Sequence, residues 1–243
     1  MSEEHFASVY DVLMEDAPYA EWLEYATSRI PANSSVLDVA CGTGTFTRSL
    51  ARQGYKVSGT DLSMEMLTIA EEKSRVESLS IPYYRQNMTE LAGFNDLDAV
   101  TLFCDGLNYL TSEKEVEKTF KHIALSLKKG GIFLFDVHSP YKMEHVFDHQ
   151  LYGENGEEIS YLWFCEPGEE PLSVHHSLTF FIKQANGTYM RKDEDQYQRT
   201  FIASSYERWL KDAGFIDIEI TSEFGRASVH QNDDRIFFKA VKK

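Results

Sequence analysis

Asp38, Gly42 and Gly44 stand close together in the run Val36-Leu-Asp-Val-Ala-Cys-Gly-Thr-Gly-Thr45, between a short apolar stretch and a helical pattern. Glycines at a strand-to-helix turn let the chain reverse tightly and let a ligand approach the backbone. Twenty-three residues after Asp38, Asp61 closes a second apolar stretch. A carboxylate at that place can accept both ribose hydroxyls of an adenosine. Turn and carboxylate together point to a ligand with a nucleoside part.

Two cofactor classes share this geometry. A dinucleotide site asks for G-x-G-x-x-G, because its pyrophosphate rests on the helix N-terminus. Here the third glycine position is Thr47, so that fingerprint is incomplete. S-adenosylmethionine carries an amino-acid moiety and a sulfonium cation instead of a phosphate. An acidic residue ahead of the loop, Asp38, suits its ammonium group.

The elements that must position these residues follow from periodicity. Residues 3 to 29 read as a helical arm, with Phe6, Val9, Tyr10, Leu13 and Met14 at helical spacing and a break at Ala17-Pro18. Ser35 to Val39 is an apolar strand, and Thr45 to Gln53 a helix stopped by Gly54. Tyr55 to Thr60 is a second strand, and Ser63 caps a helix to about Leu79. Ile81 to Gln86, Leu97 to Phe103 and Ile132 to Val137 are further strands. Before the last of them, Thr111 or Ser112 caps a helix closed by Lys128-Lys129-Gly130-Gly131. Such alternation predicts an α/β fold, a mostly parallel seven-stranded sheet with helices on both faces.

The pattern changes after residue 139. Glu158 to Cys165, Ser173 to Gln184 and Thr188 to Thr200 read as three antiparallel strands, with Asn186-Gly187 as a hairpin turn. A helix at Ala203 to Ala213 and strands at Phe215 to Ile220 and Ile236 to Val241 follow, the last two pairing as a hairpin-like unit. The expected organisation is a cofactor-binding domain over 1–139 and 201–243, with its helical arm at 1–30, and an inserted antiparallel β lid over 140–200.

Composition narrows the partners. The formal net charge is −15, and no basic footprint exists to displace counterions from a nucleic acid or to seek an anionic membrane. Three separated cysteines, Cys41, Cys104 and Cys165, indicate neither a disulfide framework nor a zinc site. No metal-ligand spacing stands out, and His175-His176 would point to opposite faces of a strand. No apolar run reaches membrane-spanning length, and the acidic N-terminus is no signal peptide. A cytoplasmic location is expected, with a small-molecule partner and a possible homodimer through the antiparallel insertion.

Asp38-Val-Ala-Cys-Gly-Thr-Gly44 resembles the first signature of class I, Rossmann-like S-adenosylmethionine-dependent methyltransferases. Further segments are similar to that family in the right order: Gly59-Thr-Asp-Leu-Ser63 with Met64 and Met66, then Leu102-Phe-Cys-Asp-Gly-Leu-Asn-Tyr-Leu110, then Leu127-Lys-Lys-Gly-Gly-Ile-Phe-Leu-Phe135. Tyr10-Asp-Val-Leu-Met14 and Pro18-Tyr-Ala-Glu-Trp22 resemble a smaller bacterial branch of small-molecule or uncharacterised members. The resemblance covers roughly residues 30 to 140 and the closing hairpin after Gly214.

The resemblance implies S-adenosyl-L-methionine as cofactor and a role for each matching residue. Gly42 and Gly44, with Ala40 in the same loop, contact the methionine part, and Asp38 holds its ammonium. Asp61 binds the ribose. Leu62, Met64 and Met66 belong to the adenine side, where Asn87-Met88 reach the base edge. Many relatives carry an aspartate where this chain has Asn87. Tyr10 closes over the cofactor. Asp105 lies beside the sulfonium and the incoming acceptor, and Asp105 and His138 are the candidates for substrate contact or proton removal. The implied reaction is in-line displacement on the methyl carbon by an oxygen or nitrogen of a small molecule. The insertion, with Tyr141, Phe147, Tyr161, Trp163 and Phe180, forms the lid. Two other readings share the turn: an NAD(P)-dependent oxidoreductase, and a non-catalytic binder of S-adenosylmethionine.

Overall fold

Strands buried on both faces need apolar residues at successive positions, and Ser35–Val39 (β1) and Leu97–Leu102 (β4) supply them. A computed structural model describes residues 9–11 and 13–243. The first eight residues and Val12, part of the helical arm expected over 3–29, lie outside the described residues. The arm is helical at 9–11 and 13, and after the Ala17-Pro18 break Tyr19–Thr27 forms helix α1.

From there strands and helices alternate. Thr45–Arg52 (α2) links β1 to Lys56–Asp61 (β2), and Met64–Val76 (α3) links β2 to Tyr83–Arg85 (β3). Glu113–Ser126 (α4) links β4 to Leu127–His138 (β5). Ser112 caps α4 with a reciprocal capping box to Glu115, satisfying two orphan donors of the first turn. The chain closes with Ala203–Asp212 (α5), Phe215–Thr221 (β10) and Arg235–Lys242 (β11). The seven strands order as β10-β11-β5-β4-β1-β2-β3. β11 alone runs against its neighbours, pairing antiparallel with both β5 and β10.

Alternate side chains of each strand feed two cores. Phe133, Phe135 and Val137 pack with α4 and α5, while Leu134 packs on the opposite side with α1 and α2. Phe135 stacks on Phe133 at 4.7 Å and on Phe238 at 4.6 Å between ring centroids. The expected α/β fold, with its mostly parallel sheet of seven strands, is what the chain adopts. No helix among the described residues is long and apolar enough to cross a membrane.

Two local differences have physical causes. Lys128 to Gly131, read from sequence as the end of a helix, begin β5 instead. Leu127 already has extended dihedrals and pairs with Leu97. The insertion holds four strands, not three: Gln150–Asn155 (β6), Ile159–Pro167 (β7), Ser173–Lys183 (β8) and Tyr189–Arg199 (β9), in that order across a second, antiparallel sheet. β6 is an edge strand with almost every residue exposed, so it carries no apolar alternation to read.

The inner face of this second sheet is covered from two sides. Met143 and Phe147, from a π-helical turn at Lys142–Val146, pack on Cys165 and Val174. Val9 and Leu13 of the arm pack among Leu178, Phe180 and Tyr161. Phe147 and Phe180, expected in a lid, are thus buried core residues.

Phe135→Ala empties the centre of the three-ring stack. It should lower unfolding free energy by about 3–5 kcal/mol, measured by urea denaturation. A loss below about 1 kcal/mol would mean that this core is not the one described.

Candidate active site

The glycine-rich turn is held by the residue that ends β2. Asp61 Oδ2 accepts the Gly42 N–H at 2.8 Å and Asp61 Oδ1 accepts the Ser63 N–H at 2.9 Å. Cys41 N–H donates to the Thr60 carbonyl at 2.9 Å. The backbone is left-handed at Ala40, Gly42 and Gly44, so the turn is tight and Ala40 bears a strain that glycine would not. The two glycines serve different ends. A Cβ on Gly44 would lie 2.6 Å from the Tyr83 hydroxyl oxygen and 3.0 Å from Ala70 Cβ, so the protein fills that space itself. A Cβ on Gly42 would meet only the Tyr10 ring, at 3.7 Å. Gly42 is the glycine with free space before it.

Asp38 lies beneath the turn, 3% exposed. Thr47 and Thr101 hydroxyls donate to its two oxygens at 2.5 and 2.8 Å. Burial pushes its carboxyl up to about 6, against the pull of those hydroxyls. Burial also raises the Asp61 carboxyl, offset in part by the Ser63 and Gly42 amides.

Beyond Asp61 the surface turns apolar. Leu62 and Met64 are exposed, whereas Met66 is buried on the helix side. Asn87 is exposed and caps a short 3-10 turn: its Oδ1 accepts both the amide and the hydroxyl of Thr89, at 2.9 and 3.0 Å. Its oxygen is therefore engaged locally. Met88 is half-buried against the main core.

Three consecutive arm residues reach across the site. Val9 packs in the second sheet and Tyr10 lies against Gly42. The Asp11 carboxylate accepts the Thr43 hydroxyl at 2.8 Å and pairs with Lys73 at 2.5 Å. Tyr10 lies close enough to Tyr19, Cys104, Tyr109 and Asp105 for each to add to its phenol's upward shift, whose main cause is burial.

The turn after β4 carries Asp105. Cys104 and Asp105 are both left-handed, and Gly106 is close to Ala40: a Cβ on it would lie 3.0 Å from Ala40 Cβ and from Leu102 Cδ2. The turn that carries Asp105 thus abuts the glycine turn. The Asp105 carboxylate is surrounded by donors. Arg235 Nη2 donates to Oδ1 at 2.9 Å, Gln198 Nε2 donates to Oδ2 at 2.9 Å, and His138 Nε2 lies 3.4 Å from Oδ2. Burial pushes the Asp105 carboxyl up, but His138 and Arg235 outweigh it and hold the group well below the carboxylate range. Burial drives His138 down to about 4, so its ring is neutral near pH 7 and Arg235 is the lasting charge partner. Arg235 also bonds Asp136 and lies over the Trp22 ring.

The expected residues do not all stand alike. Tyr10, Ala40, Gly42, Asp61 and Asp105 are brought together through the two turns, Gly42 touching Tyr10 and bonding Asp61, and the Asp105 turn meeting Ala40. His138 stands behind Asp105, 4% exposed, with Nδ1 buried and unbonded among the described residues. Asn108 braces the cleft: it accepts the His138 N–H at 2.9 Å and donates to the Arg199 carbonyl at 2.8 Å, tying the ends of β5 and β9. Arg235 and Gln198 were not singled out from sequence. A lone arginine opening an apolar strand, and a glutamine on the inward face of a lid strand, were the signals available. His175 and His176 face opposite sides, as their adjacency requires: His175 stacks on Tyr197 outside, and His176 is buried inside.

An adenosine ligand fits what is present. Asp61 keeps a second lone pair on each oxygen for ribose hydroxyls, Leu62 and Met64 offer an apolar surface, and Gly42 leaves its backbone open. The Rossmann-like sheet and this turn agree with the resemblance to class I methyltransferases, and the comparisons with known proteins decide the family. Residues 36–131 match the family model described as a methyltransferase domain. A relative from Geobacillus sp. (strain WCH70), named "Putative methyltransferase", is 44% identical over the full length of both chains. One of the same name from Bacillus subtilis (strain 168) is 42% identical over 98% of this chain and 96% of its own. The crystal structure of an S-adenosylmethionine-dependent methyltransferase from Clostridium acetobutylicum superposes with a TM-score of 0.88, at 27% identity, over 98% of this chain and 97% of the other. The chain belongs to the S-adenosylmethionine-dependent methyltransferases, and S-adenosylmethionine is its cofactor.

Two predictions follow from the turn. Gly44→Ala should cost at least ~2 kcal/mol, from left-handed strain and the overlap with Tyr83. Combined with Tyr83→Phe it should cost less than the two single changes summed, read from urea midpoints; strict additivity would contradict the contact. Asp38 supplies a pH signature. Its folded-state pKa stands above the unfolded value, so the stability it contributes is present near pH 4 and lost as pH rises through about 6. Relative to Asp38→Asn, the wild type should lose about 2–3 kcal/mol between those limits. Parallel melting curves from pH 4 to 7 would show it, and a constant difference would rule it out.

Proposed function

We propose that this enzyme methylates an oxygen or nitrogen of a small-molecule acceptor held between the glycine turn and the antiparallel sheet. The observation that carries this reading is the partly open Asp105 carboxylate. It sits on a turn that abuts the glycine turn through Gly106 and Ala40, and it is bonded by Gln198 of the second sheet. More distant relatives favour small acceptors of both atom types. A ubiquinone biosynthesis O-methyltransferase of Xanthomonas axonopodis is 38% identical over 45% of this chain. An N,N-dimethyltransferase of a dTDP-linked amino sugar, from Streptomyces venezuelae, is 29% identical over 56%. The net charge of −15 disfavours RNA and DNA as acceptors.

When bound, the cofactor supplies a methyl group on a cationic sulfur, a leaving group already activated. The chain's own task is then alignment, worth about 7–11 kcal/mol of barrier in well-oriented reactions. Asp61 orients the ribose, Leu62, Met64 and Met66 form the adenine side with Asn87 and Met88 at its edge, and Gly42 and Asp38 receive the amino-acid end. Tyr10 and the second sheet exclude water. Asp105 meets the acceptor, and His138 acts through Asp105 from behind it.

Calorimetry tests the assignment. S-adenosylhomocysteine should bind in the micromolar range and NADH should not. Asp61→Ala should weaken S-adenosylhomocysteine binding by about 100-fold, the loss of two charge-assisted hydrogen bonds. Binding of NADH alone would return the site to the oxidoreductases.

A further inference from the structure

We propose that the acceptor atom is an amine nitrogen, and that Asp105 meets it as a fixed anion rather than as a base. This rests on the methyl-transfer reading above and names its acceptor class.

The donors around Asp105 are oriented by their own neighbours. Trp163 Nε1–H donates to His176 Nδ1 at 3.1 Å. Indole nitrogen can only donate, so the His176 proton resides on Nε2, which faces Gln198 Oε1 at 3.3 Å. That acceptor contact turns the amide nitrogen of Gln198 toward Asp105 Oδ2. On the other side Arg235 donates to Oδ1. His138 completes the set. A proton on its Nε2 points at Asp105 Oδ2, whereas a proton on Nδ1 would be buried with no acceptor and would leave two lone pairs face to face. Asp105 therefore takes donors from three elements, β5, β9 and β11.

A carboxylate held in this way accepts a further proton poorly. The neighbouring imidazoles offer no substitute: the bare nitrogen of His138 faces inward, and that of His176 is taken by Trp163 and Cys165. The surrounding charges leave Asp105 anionic in effect. Arg235 is shared between Asp105 and Asp136, so those three groups sum to one negative charge. Lys142 makes no ion pair among the described residues; its ammonium lies over the Phe147 ring, within electrostatic reach of both Asp105 and Asp234.

Such a site suits an amine. A hydroxyl acceptor must shed its proton as it attacks, and a fixed anion opposes the alkoxide that results. An unprotonated amine attacks with its own lone pair. That pair forms the N–C bond, the pair of the breaking S–C bond stays on sulfur, and the positive charge moves onto nitrogen, toward the carboxylate. The extra proton on the methylated ammonium is lost to water afterwards. No base on the protein is consumed.

Two measurements on the full chain decide it. The first assays transfer from labelled S-adenosylmethionine to matched pairs of small molecules, amino sugars with their parent sugars and arylalkylamines with their alcohols. Methylation confined to the amines is expected, with kcat/KM rising with pH toward each amine's own pKa. Comparable methylation of the hydroxyl members would overturn the proposal. The second compares sinefungin, which carries a C–NH3⁺ where the cofactor has its S–CH3⁺, with S-adenosylhomocysteine. Sinefungin should bind at least ~10-fold more tightly to the wild type, falling to within ~3-fold in Asp105→Asn. Equal affinities in the wild type would refute a fixed anion before the methyl, whether or not any pair is methylated or the variant folds. Failure of S-adenosylhomocysteine to bind at all would instead sink the methyltransferase reading itself.

Discussion

One guanidinium holds the acceptor side together. Arg235 lies between Asp105 and Asp136 and rests on Trp22, so it joins the β4 turn, β5, β11 and α1. Without it, the buried Asp136 carboxylate would stand uncompensated beside the partly open Asp105, a cost of several kcal/mol. Its location is a matter of topology. Parallel strands bring their last residues to the crevice of an α/β sheet, and a strand running the other way brings its first. β11 is that strand, Arg235 is its first residue, and it pairs with His138, the last residue of β5. The antiparallel strand is how a cation reaches an edge otherwise furnished by strand ends bearing acids.

The cofactor side is simpler and was plainer in the sequence. Asp61 and Gly42 are joined by one hydrogen bond, and each belongs to a local pattern: glycines at a strand-to-helix turn, an acid where an apolar stretch stops. Such features are legible because the chemistry is written within a few residues. Gln198 and Arg235 are not legible in that way. They lie 93 and 130 residues from Asp105, and nothing beside them in sequence announces a shared carboxylate. His138 was legible as a residue at the crevice, but its direction depends on Asp105 and Phe147, which only packing supplies. The same holds for β6, whose exposed edge carries no period, and for the start of β5, where pairing to Leu97 overrides the residues that suit a helix end.

Strain is concentrated where ligand and protein must approach. Ala40, Cys104 and Asp105 are non-glycine residues with left-handed backbone, and Gly106 is wedged against Ala40. These two turns brace one another. Each non-glycine residue in that region costs on the order of 1 kcal/mol, offset here by the hydrogen bonds that Asp105 and the turn amides collect.

The arm has a consequence of another kind. Val9 belongs to the core of the second sheet, Tyr10 covers Gly42, and Asp11 bonds Thr43 and Lys73. Three adjacent residues thus touch the second sheet, the glycine turn and α3. One short segment therefore answers to all three at once, so a change in any one of Val9, Tyr10 or Asp11 is transmitted along the backbone to the contacts of the other two.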